Sequence, residues 1–206
     1  MDKIKAALPK PHSLLIVLSG FSGVGKDSVV KRMKELGYPF HFVVTATTRP
    51  PREGEVPGKD YHFLSEEAFV EMIEQDEFLE HALVYGEYKG VPKAHIREAM
   101  ASGQDVLMRL DVQGASTMRE MVPDALLIFI AASSEEELIG RLRARKTETE
   151  ESLRKRVKKI EEEAAQIPLF DYVVINRDGR LDETVEQIGA IISAEKCRVD
   201  PRKAEI

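Results

Sequence analysis

Short apolar runs alternate along this chain with longer stretches in which apolar positions recur at helical spacing. The runs Leu14–Leu18, His41–Thr45, Asp105–Leu110, Leu126–Ala131 and Tyr172–Ile175 predict buried strands. Between or after them, Asp27–Leu36, Gln113–Met121, Glu135–Arg143, Glu151–Ala165 and Asp182–Cys197 predict helices. Strands alternating with helices predict an α/β fold, a parallel sheet covered by helices on both faces. Ligands of such sheets bind at the carboxyl ends of the strands.

Residues 45–103 break this rhythm. They begin with a proline- and glycine-rich loop over Arg49–Asp60, which carries Arg49, Arg52 and Glu55. A short strand at Tyr61–Leu64, a helix over Ser65–Gln75, a strand-turn segment over Phe78–Val91 and a helix over Lys93–Ala101 follow. The pattern predicts an inserted mixed α/β region that binds substrate. One domain of 1–206 then has a core of 13–44, 104–143 and 157–197, an insert of 45–103, a lid of 144–156, and tails 1–12 and 198–206. The lid is expected where Arg145–Glu150 forms a turn within the charged stretch Glu135–Glu163, whose basic residues otherwise read as helix faces laced with ion pairs.

Composition changes this picture little. The 206 residues carry a formal charge of −6, which gives no basic field for general nucleic-acid binding. The one cysteine, Cys197, excludes an internal disulfide and fits a reducing compartment. No apolar run approaches the ~18 residues of a membrane span, and Met1–His12 has no hydrophobic signal core. A cytoplasmic protein without membrane or nucleic-acid partners is expected.

Candidate chemistry centres on Gly20-Phe21-Ser22-Gly23-Val24-Gly25-Lys26-Asp27-Ser28, between the first strand and the first helix. Strand, glycine-rich turn and helix are the context of a phosphate-binding P-loop. Glycines let backbone N–H groups close around phosphate oxygens, and the helix N-terminus adds its positive end. Lys26 is placed to reach the β- and γ-phosphates of a nucleotide.

Several spaced segments extend this reading: Thr47–Arg52 with Gly54-Glu55, Gly58-Lys59-Asp60-Tyr61-x-Phe63, Glu77–Glu80, Asp111–Gly114 and Arg145–Ser152. Through them the chain resembles a guanylate kinase from about Leu14 to Lys196. The resemblance implies transfer of the γ-phosphoryl group of ATP to GMP, giving ADP and GDP, with Mg2+ carried as Mg-ATP. It implies that Arg49, Arg52 and Tyr61 hold the phosphate of GMP, with Thr45 near them and Glu55 orienting an arginine. Glu80 would face the guanine edge, and Asp111 belongs to the same acceptor site. Arg145 and Arg156 would close on the transferring group, making them catalytic beside Lys26 and Arg52. Arg141 and Asn176 complete the ATP side. Whether dGMP is a substrate, and whether the protein is a monomer or homodimer, stay open.

Three departures from the family pattern carry information. Asp27 stands where Ser or Thr ordinarily ligates magnesium, as in members from plant organelles. A carboxylate is a hard donor that could hold the metal directly or through water, and Ser28 is turned away by roughly 100° of helix. Lys89-Gly90-Val91-Pro92 replaces a turn rich in hydroxyl groups. Arg109 replaces the first aspartate of an Asp-x-Asp pair, leaving Asp111 as either a metal carboxylate or a helix N-cap. Two other functions stay open: a kinase of the same fold with another acceptor, such as a ribose bisphosphate, and a non-catalytic phosphopeptide-binding module.

Overall fold

A computed structural model describes residues 12–84, 86–101, 103–144 and 150–204, with the backbone alone over 150–156. Its main sheet holds β1 (Leu15–Gly20), β2 (Phe40–Phe42), β7 (Asp105–Arg109), β8 (Leu126–Ala131) and β9 (Tyr172–Ile175) in the order β2-β7-β1-β8-β9. Every pairing in it is parallel, with Ile16 opposite Leu126 and Leu18 opposite Arg109. The pleat divides the core in two. Leu14, Ile16 and Leu18 face α1 (Lys26–Glu35), α5 (Glu135–Arg143) and α7 (Leu181–Glu195), packing on Val29, Met33, Leu138, Val185 and Ile188. Leu15 and Val17 face α3 (Lys93–Ala101) and α4 (Val112–Met121), packing on Ile96, Ala115 and Met118.

A second sheet lies between residues 45 and 92. Its strands β3 (Thr45–Thr47), β4 (Tyr61–Phe63), β5 (Phe78–Val84) and β6 (Glu87–Pro92) run in the order β4-β3-β6-β5. Only β3 and β4 pair in parallel. One face carries a small core of Ala46, Phe69 and Phe78, covered by α2 (Glu66–Glu74).

The expected single strand His41–Thr45 is two strands in different sheets. β2 ends at Phe42, Val43 still donates its N–H to Leu107 O at 2.9 Å, and β3 begins at Thr45. No glycine, proline or other turn residue between Phe42 and Thr45 marks the change. Helix α6 (Glu150–Ala164) then returns toward the P-loop; of the expected lid over 144–156, residues 145–149 lie outside the described residues and 150–156 begin this helix. The chain after α7 folds back: Arg202 binds Glu195 at 2.8 Å and Asp171 at 3.4 Å.

Candidate active site

The carboxyl end of β1 runs into the P-loop, and Gly25 is the N-cap of α1 with φ 98°. Glycine is required there on two counts. The left-handed backbone disfavours any side chain, and a Cβ would stand 2.8 Å from Asn176 Nδ2. Beneath the loop, Asn176 is buried, donating to Val24 O at 2.8 Å and accepting from Thr184 Oγ1 at 3.1 Å. Arg141 donates to Val24 O at 3.0 Å and Asn176 O at 2.8 Å, and pairs with Glu137. Both residues therefore brace the loop from behind. Their partners Glu137 and Thr184 gave no sequence signal, because helix-face Glu and Thr are common.

Lys26 curls back, donating to Gly20 O at 2.7 Å and Phe21 O at 3.1 Å. Burial lowers its pKa to about 8, against the raising influence of Glu163 and Asp27. Glu163, on α6, accepts from Ser22 N at 3.1 Å, so a carboxylate sits on a loop N–H suited to phosphate. In sequence that glutamate was indistinguishable from its charged neighbours.

Across from the P-loop stands the arginine loop. Arg49 is buried and grips Glu55 with both terminal nitrogens, at 2.7 and 2.6 Å. Glu55 also accepts from Arg52 N at 2.7 Å. Burial opposes ionisation of Glu55, but Arg49 and the Arg52 amide hold it below the usual carboxylate range. Arg52 reaches back to Asp27, Nη1 to Oδ2 at 3.9 Å. The Tyr61 ring lies against two guanidinium groups, those of Arg49 at 4.6 Å and Arg109 at 4.4 Å. Its hydroxyl donates to Asp27 Oδ1 at 3.3 Å. Burial and then Asp27 push that hydroxyl above its ordinary value, so it remains a donor.

Lys26, Asp27, Ser22, Thr45, Tyr61, Glu80, Lys89, Arg109, Asp111 and Glu163 line one cleft. Ser28 is exposed on α1. Of the residues expected at the lid, Arg145 lies outside the described residues, and only the backbone of Arg156 is described.

Glu80 is buried on β5, just past a bulge at Phe78–Glu80. Gly114 in α4 makes room for it, since a Cβ there would stand 2.4 Å from Glu80 Oε1. Burial, reinforced by Asp111 and opposed by Lys89, raises the Glu80 pKa to about 8. A solvated glutamate is an ionised, acceptor-only carboxylate at neutral pH. In the fold the side chain is instead mostly protonated there, because tertiary burial outweighs the nearby lysine.

Asp111 caps α4, its Oδ1 accepting from Gln113 N at 3.0 Å and Gly114 N at 3.1 Å. That leaves Oδ2, in the same cleft, as a hard oxygen suited to magnesium. Asp27 is differently placed, with Arg109 at 2.8 Å on Oδ1. Among the described residues no cluster of three or more His, Cys, Asp or Glu could hold a metal. Magnesium needs no such cage, because it keeps water and phosphate oxygens as ligands.

A guanylate kinase family model matches residues 12–195. Guanylate kinase 2, chloroplastic/mitochondrial, of Oryza sativa subsp. japonica is 51% identical over 199 residues, 96% of this chain and 70% of that protein. A guanylate kinase of Caldanaerobacter subterraneus subsp. tengcongensis is 47% identical over 194 residues, covering 94% and 93%. The crystal structure of guanylate kinase from Anaplasma phagocytophilum superposes with a TM-score of 0.75 at 30% identity, covering 92% of this chain and 89% of that one.

Proposed function

Because the chain belongs to the guanylate kinase family, we propose that it transfers the γ-phosphoryl group of ATP to GMP, giving ADP and GDP. What supports the acceptor side is the approach of the arginine loop to the P-loop, with Arg52 3.9 Å from Asp27. Phosphoryl transfer asks mainly for positioning and for stabilisation of negative charge.

The N–H groups of Gly20–Lys26 and the Lys26 ammonium receive the triphosphate. Arg49, stiffened by Glu55, and Arg52 receive the phosphate of GMP, with the Tyr61 hydroxyl as a further donor and Thr45 at the same wall. Guanidinium groups suit this task because they stay charged and bind phosphate bidentately. Glu80 reads the base, accepting from guanine N1–H and the exocyclic amine. Arg145 and Arg156 close on the transferring group. Magnesium supplies charge neutralisation across the phosphates when bound with ATP, and Asp111 Oδ2 would hold it. Arg141 and Asn176 act on ATP through the loop they brace.

A coupled ADP-release assay across GMP, dGMP, AMP, UMP and ribose phosphates tests this reading. GMP is expected to be preferred strongly over AMP. Faster turnover of a ribose bisphosphate than of GMP would overturn it. No helix among the described residues is long and apolar enough to cross a membrane. We place the reaction in the cytoplasm, a proposal supported by the exposed free thiol of Cys197.

A further inference from the structure

Two of the three departures from the family pattern touch each other. Arg109, at the end of β7, donates from Nη1 to Asp27 Oδ1 at 2.8 Å. Its Nη2 donates to the Asp60 carbonyl at 2.7 Å. Its face lies 4.4 Å from the centroid of Tyr61. One side chain thus joins the core sheet, the second residue of α1 and the acceptor loop. It is held there firmly, only 11% exposed, while the Asp27 side chain is 43% exposed toward the cleft.

A carboxylate in a phosphate cradle is a burden. It repels the β- and γ-phosphates that the loop's N–H groups attract, and little solvent screens it in a closed cleft. A neighbouring guanidinium removes that repulsion, provided the two stay paired. Arg109 is built to stay, because the Asp60 carbonyl and the Tyr61 ring fix its second nitrogen and its face. The same contacts tie acceptor-loop geometry to the P-loop.

We propose that Arg109 is a positioning residue for phosphoryl transfer: it neutralises Asp27 within the phosphate cradle and anchors the acceptor loop beside it. Asp27 is then the partner of a protein cation, and magnesium is left to Asp111 and the phosphates. The pair is a unit, so losing the arginine harms the enzyme more than losing both.

This inference rests on the ATP:GMP reading, but the ADP arm of its test reads donor-side binding without turnover. ADP affinity is measured by calorimetry, with excess magnesium and with chelator, for the parent, R109A, D27S and the double variant. R109A is expected to weaken ADP at least tenfold in chelator and less with magnesium. D27S in the R109A background should restore most of that loss, a coupling on the order of tenfold. The KM for GMP should rise in R109A and stay raised in the double variant, since the Asp60 contact is not restored. R109K, which keeps the charge, should bind ADP nearly as the parent does and still bind GMP poorly. Thermal unfolding of each protein establishes that it is folded, and R109K carries the test if R109A is not.

Equal ADP losses in R109A and the double variant would overturn the pairing. So would a loss in R109K as large as in R109A, or loss of the magnesium dependence of ADP affinity in D27S alone. Failure of the underlying reading would show differently, as a parent enzyme that does not phosphorylate GMP.

Discussion

At the scale of single residues, Glu80 links burial to stability and, on the proposed function, to selectivity. Its carboxyl pKa stands at about 8 in the folded protein against an ordinary 4.5. Between those values the unfolded chain has released a proton that the folded protein still holds. Folding is therefore favoured below 4.5, and the advantage is lost as pH rises toward 8, by an amount on the order of a few kcal/mol. Glu80→Gln should be more stable than the parent at pH 9 and lose much of this pH dependence, as read from denaturant midpoints. Binding of guanine offers two donors and favours the carboxylate. GMP binding should accordingly release a proton at pH 7, seen as a calorimetric enthalpy that varies with the buffer. Glu80→Gln should bind without that release, with a sharp fall in kcat/KM for GMP and a narrower preference over AMP. If AMP is rejected as well as before, the base is read elsewhere.

At the scale of elements, helix α4 serves the site through the side chain it lacks. Gly114 lets it approach β5, and Asp111 caps its first turn. Gly114→Ala must move either the helix or Glu80. Overpacking of this kind costs ~1–3 kcal/mol, and the KM for GMP should rise several-fold while ADP affinity holds. Equal loss of both affinities would point to a general disturbance of the fold.

What could be read from the sequence follows the same division. The P-loop, the alternating elements and the arginine loop are local patterns with fixed spacing, and they were legible. The change of sheet between Phe42 and Thr45 was not, because only Val43 and Val44 separate the strands and neither is a turn residue. Arg109 and Asp27 each stood out as departures, yet nothing in the sequence says that residues 82 positions apart meet. The charge state of Glu80 was hidden because β5, α4 and Asp111 set it together. Glu163 on α6 was one acid among many until its carboxylate met Ser22.

At the scale of the whole molecule, the cleft gathers residues from the P-loop, the second sheet, β7 and α6. Substrates bound on both sides would draw these parts together, excluding water from the transferring group. A bisubstrate analogue joining adenosine and guanosine through phosphates should reduce the radius of gyration in solution scattering. An unchanged radius at saturation would count against closure. The contact between Glu163 and the Ser22 amide gives this motion a cost at its start. The P-loop carries a tethered competitor, present at an effective concentration that no dilution lowers. On the proposed function ATP must evict it, so the observed dissociation constant is the intrinsic one divided by the fraction of molecules in which the loop is vacant. Glu163→Ala should tighten ATP binding several-fold, and release of ADP should slow in step. Weaker ATP binding in that variant would mean that Glu163 assists the nucleotide rather than standing in its place.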